Sequence, residues 1–473
     1  MSDLRINAVF DVTPRFLRST NLERDFHDPN ALENYILTPH GRQCLTRLAK
    51  GLRRGATERA WRVTGDYGSG KSSFALMLAH WFSGNARRLK GDLGTAVNYD
   101  SFHLAERPKF LPVLITGSRE PMGRAILRAL VRTMDEQYTR GGRAALVSDM
   151  ARAVESAERI ADADTVNWVL RANAKLVKDG KAGGMLLMLD ELGKFLEYAA
   201  YHPQQQDVFL LQKLAESTAG SDDCPLFVVG LLHQGFNAYA DHLGPAVQRE
   251  WEKIAGRYEE IVFNQPLLQT AELIGAALRV RENLLPPASR QEVTRGMEAV
   301  QELGWLGSSR QALPFGLASR LFPLHPTVLP ALIRTFTRFG QNERSLFSFL
   351  LSGEPFGLQD FSSRPLLAGN TYRLPDFYDY VRDTFGHRLA VHNYRSHWTE
   401  IESMVESFGT SDEVELKIVK TVGMLNLLDQ TDLLPTNEAL EAALGGREGL
   451  NPGVCALRST ICTKPGACFS SAA

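Results

Sequence analysis

Continuous apolar runs from 184 up to Asp190 and at 225–232, with strand-like stretches at 60–64, 110–116 and 261–263, stand out against a background of helical periodicity. Runs with no polar alternation suit central strands of a parallel sheet, which are buried on both faces. Helical periods lie between them, for example from about 120 to 138, so the pattern predicts a doubly wound parallel α/β sheet. From 267 onward the periodicity is almost wholly helical, which sets a boundary near 266. A Gly-, Ser- and Pro-rich break at 355–370 predicts a linker or long loop. Beyond it, helical stretches at 415–428 and 435–444 joined by a short turn are compatible with a winged helix or with plain helix packing.

The organisation expected from this pattern is an N-terminal arm over 1–45, a sheet core over 46–265, a helical lid over 266–355 and a helical or winged-helix domain over 356–446. The segment 447–473 loses periodicity and turns Cys-, Ser- and Gly-rich, as a disordered or unrelated tail does. Between 141 and 181 lies a polar, Ala-rich helical insertion with no evident chemistry.

Composition narrows this picture by exclusion. With 44% hydrophobic residues, 23% charged residues and a formal net charge of −1, the chain exerts no global pull toward nucleic acid or membrane. No apolar run approaches the ~18–20 residues of a bilayer span, and the start lacks a signal-peptide pattern, so a cytoplasmic protein without a membrane partner is expected. Cys455, Cys462 and Cys468 are spaced too widely for a zinc knuckle, while Cys44 and Cys224 stand alone, in keeping with free thiols.

The chemistry concentrates after the first strand. Gly65-Asp66-Tyr67-Gly68-Ser69-Gly70-Lys71-Ser72, followed by Ser73, is a complete phosphate-binding loop between a strand and a helix. Glycines let backbone N–H groups turn inward around phosphates without a Cβ in the way, and Lys71 adds a positive charge. Ser72 supplies a hydroxyl for Mg2+. Asp190 ends the strongest apolar strand and Glu191 follows it. In an ATP-hydrolysing enzyme Asp190 would hold Mg2+, and Glu191 would act as general base on the attacking water. The alternative for that pair is a helix N-cap with first-turn charge.

His233 and Gln234, at the end of the 225–232 run, are candidates to orient that water, or else solvated strand-end residues. Arg257, ahead of the 261–263 run, is a candidate finger reaching a neighbouring subunit, or else pairs with Glu259 or Glu260. Arg344 is a candidate lid cation, or else a partner of Glu343 or Glu354. Arg124, Arg128 and Arg132 recur at helical spacing as a basic face, which either follows a phosphate backbone or is solvated.

The order of loop, Asp-Glu strand, polar-ended strand, Gly256-Arg257-Tyr258 before the 261–263 run, helical lid and winged helix resembles AAA+ ATPases of the origin-recognition branch and the related STAND switches, over roughly residues 40 to 446. More narrowly, the blocks 64–73, 232–236 and 340–350 are similar to those of large bacterial phage-defence ATPases of the BREX type. The resemblance implies an AAA+ fold, binding of ATP with Mg2+, homo-oligomer assembly, a DNA or DNA-bound protein complex as load, and a chain that is a fragment of a longer one. Two functions follow as expectations: ATP hydrolysis that drives remodelling or loading, or a slow nucleotide-gated switch or scaffold.

Overall fold

The computed structural model describes residues 4–13, 20–33, 35–66, 68–85, 87–104, 106–138, 144–156, 160–202, 208–220, 222–241, 243–307, 314, 316–340, 346–367, 369–391, 395–408 and 413–445. The chain divides into two compact units, one of residues 19–264 and one of residues 1–18 with 265–473.

Strands are numbered β1 (Phe10–Val12), β2 (Ala60–Thr64), β3 (Phe110–Thr116), β4 (Gly184–Asp190), β5 (Leu226–Leu232), β6 (Glu259–Val262) and β7 (Leu278–Val280). The unit of residues 19–264 is built on a five-stranded sheet in the order β3-β4-β5-β2-β6. Every pairing in it is parallel. All residues of β4 and β5 are buried, because helices cover both faces. Successive side chains of a strand point to opposite faces, and β4 shows the consequence. Met185, Leu187 and Leu189 join a core with the helices Met122–Gln137, Asp162–Lys178, Leu192–Tyr201 and Phe209–Thr218. Leu186 and Met188 join the opposite core, with the helices Pro39–Lys50 and Lys71–Phe82.

Among its described residues the other unit is helical apart from the antiparallel pair β1-β7. One continuous apolar core runs through it from Ile6 and Phe10 to Ala439 and Ala443. Two expected boundaries are thereby corrected. The arm over 1–45 is shared between the units, since β1 finds its only strand partner among the described residues in β7, while residues from 19 onward belong with the sheet. The break at 355–370 is not a linker: Leu358 and Phe361 of a short helix are buried there, and Tyr372 just beyond is fully buried. Turn-forming composition is equally suited to a packed corner, and the buried aromatics decide in favour of one. Among the described residues of 356–445 there are helices and no β-hairpin. Residues 446–473 and Arg344 lie outside the described residues.

Candidate functional site

Parallel strands gather the ends of separate crossovers along one edge of the sheet, where ligands bind in open α/β folds. Here β5 lies between β2 and β4, so the loop after β2, the residues after β5 and the end of β4 sit in a row. The loop owes its turn to Gly68 and Gly70, at φ 77° and 88°, a region that side-chain-bearing residues enter only with strain. Gly65 is required for a different reason: a Cβ there would collide with the Phe263 carbonyl. The helix Lys71–Phe82 begins directly after Gly70, which aims its free N–H groups and positive dipole end at the loop.

Lys71 is 4% exposed. Its ammonium donates to the carbonyls of Gly65 and, at 2.6 Å, of Asp66. Burial pushes its pKa down to about 8, against the attraction of Asp66 and Asp190. The Ser72 hydroxyl donates to Asp190 Oδ1 at 3.3 Å, and the Glu191 N–H donates to the same oxygen at 2.9 Å. Burial raises Asp190 to about 6, opposed by the Ser72 bond and reinforced by Glu191. An oxygen-only pair with one buried carboxylate fits a hard divalent cation such as Mg2+, which keeps several waters and takes its remaining ligands from phosphate.

Glu191 adopts left-handed backbone angles, φ 51° and ψ 39°, at the start of the helix Leu192–Tyr201. Its side chain makes no capping bond there; the carboxylate pairs with Lys194 one turn on. A left-handed glutamate is a strained residue of the sort concentrated at functional sites. His233 is half-buried and held neutral, its pKa lowered to about 4 by burial and then by Lys71 and Lys194. Gln234 beside it is exposed.

The structure thus brings together Gly65, Asp66, Gly68, Ser69, Gly70, Lys71, Ser72, Ser73, Asp190, Glu191, His233 and Gln234 along one strand edge. Tyr67 lies outside the described residues. Arg257 is elsewhere: it precedes β6, whose Glu259 pairs with Trp61 near the start of β2, at the edge of the sheet opposite the loop. Its partner is Glu216, at 3.0 Å, rather than Glu259 or Glu260. The basic face at 124–132 is largely compensated, Arg128 by Glu120 and Arg132 by Glu23.

Three contacts escape the sequence. Asn264 Oδ1 accepts the Asp66 N–H at 3.1 Å, the Thr20 and Ser73 hydroxyls are 2.8 Å apart, and Lys194 holds Glu191. Only the last had a local signal, the i,i+3 spacing of opposite charges.

Among the described residues no helix is long and apolar enough to cross a membrane. No family model matches the chain, and no curated protein matches it. Among solved structures the chain is similar to the ORC2 protein of Aeropyrum pernix in its ADPNP-ADP complexes, with 14% identity over 76% of this chain and 90% of that one and a TM-score of 0.32. A likeness of that size bears on neither fold nor function, which stand on the chain's own residues.

Proposed function

We propose that the chain binds ATP with Mg2+ at the loop 65–72 and hydrolyses it, as an ATPase of the AAA+ kind. The observation that carries this reading is the Ser72–Asp190 hydrogen bond beside Lys71, which joins two motifs 118 residues apart. Lys71 neutralises phosphate charge, and Ser72 and Asp190 hold the cation, which spreads the charge that develops in phosphoryl transfer. Glu191 takes the proton of the attacking water, while His233 or Gln234 orients that water. Arg257 serves a neighbouring copy of the chain. The load is a DNA or DNA-bound protein complex, with phage defence as the setting that the sequence resemblance suggests.

Lys71→Ala is expected to abolish binding of a fluorescent ATP analogue. Glu191→Gln is expected to bind it as the parent does, with turnover lower by about 100-fold or more. Equal hydrolysis by the Gln variant and the parent removes Glu191 as the base.

A slow nucleotide-gated switch is the second reading, and one observation favours it: the Glu191 carboxylate is engaged by Lys194. ATPase rates with and without duplex DNA, alongside particle mass with ATP, separate the two. Remodelling requires that DNA or assembly raise the rate; a switch hydrolyses slowly regardless of either.

A further inference from the structure

The chain enters the sheet unit at residue 19 and leaves it at residue 264. At each of these places a side chain is bonded to the phosphate loop or the first turn of its helix. On the way in, the Thr20 hydroxyl meets that of Ser73, the neighbour of Ser72. The next six residues anchor Thr20 in that position. Asn21 caps the helix Leu22–Asp25, Glu23 accepts the Thr116 N–H at 2.7 Å, and Thr116 is the strand partner of Asp190. Phe26 then stacks on His80 of the loop's own helix, with centroids 4.4 Å apart and planes 9° from parallel.

On the way out, the Phe263 N–H donates to the Thr64 carbonyl at 2.6 Å, and Asn264 Oδ1 accepts the Asp66 N–H. That N–H shares a peptide group with the Gly65 carbonyl, one of the two that hold the Lys71 ammonium. A bound phosphate competes for that ammonium, since an anion attracts it more strongly than a neutral carbonyl does. Withdrawing Lys71 from the Gly65 carbonyl loosens the peptide group on whose N–H Asn264 is seated. Backbone N–H groups that turn toward phosphate act on the same peptide.

We propose that Thr20 and Asn264 are positioning residues of the phosphate loop, through which bound nucleotide is felt at both connections of the sheet unit. This rests on the ATP reading above. It assigns a purpose to two residues that touch no reacting atom.

The test is amide hydrogen exchange on the full chain, read on peptides covering 18–24 and 261–266, with and without a non-hydrolysable ATP analogue and Mg2+. In the parent, nucleotide changes exchange in both peptides. Thr20→Val loses the response in the first peptide and Asn264→Ala in the second, each with analogue affinity weakened about two- to tenfold, the worth of one hydrogen bond. Thr20→Ser, which keeps the hydroxyl, behaves as the parent. Thermal unfolding without nucleotide, unchanged within a few degrees, shows that the variants are folded. A parent that binds the analogue without a response at the connections, or variants that keep the parent's response at saturation, overturn the proposal alone. A parent that binds no analogue overturns the ATP reading and this proposal together.

Discussion

His80 sits on the loop's helix at 1% exposure, and both ring nitrogens are buried without a hydrogen-bond partner among the described residues. A histidine so placed is kept as a neutral ring: burial lowers its pKa to about 4, assisted by Arg88 and His27. The sign of the pH effect is set by that shift. Above about pH 6.5 neither the folded nor the unfolded chain protonates it. Below that, the unfolded state takes a proton that the folded state refuses, so stability falls as pH drops from about 6.5 toward about 4. Burial of Asp190 acts in the opposite sense over the acid range, because its folded pKa is raised. Comparison with a variant isolates the histidine. Parent and His80→Phe are expected to diverge by about 2 kcal/mol between pH 7 and pH 5 in urea unfolding, the parent losing more. Equal losses would mean that His80 finds a partner for its proton.

Strand ends decide where the catalytic candidates stand. The Gly117 N–H, just past β3, donates to the Asp190 carbonyl at 2.8 Å, and a Cβ on Gly117 would collide with the Glu191 carbonyl. Gly117→Ala is therefore expected to push Glu191 off its left-handed position. The cost is about 1–3 kcal/mol of stability, with a fall in kcat and little change in nucleotide affinity, separable by steady-state kinetics and direct binding. At this scale the sequence reads well where physics is local. The buried runs of β4 and β5 declare themselves because two-faced burial leaves almost no polar position, and the phosphate loop because its glycines are needed in series. The stretch 355–370 stays open between a linker and a long loop in the sequence, since both share the same residues, and the linker drops out only when Leu358, Phe361 and Tyr372 are seen buried. Asn264 and Thr20 are silent for another reason. Their meaning lies in partners, Asp66 and Ser73, that only the folded sheet brings near.

Over the whole molecule, Arg257 lies two residues before Glu259, which is itself roughly 13 Å of strand from the loop, four residues at about 3.3 Å each. It is held by a half-exposed pair with Glu216, which is worth little and easily exchanged. Arg257→Ala is thus expected to leave ATP affinity as in the parent and to lower turnover only at concentrations where light scattering detects assembly. A concentration-independent, fully active monomer would remove this role. The larger division into units was half visible: the switch to helical periodicity after 266 is plain in the sequence. Nothing in the first dozen residues announces that they pack with the far end.

That packing sets an order of events. Phe10 pairs with Val280, so β1 waits for the whole sheet unit to be synthesised before its partner exists, roughly 15 to 60 seconds at ordinary elongation rates. Through that interval Ile6, Val9 and Phe10, all buried at the end, are an exposed apolar hook on a growing chain. The sheet unit, complete once Asn264 has emerged, folds with that hook still loose. A newborn copy is therefore open along β1 to chaperones until β7 has emerged.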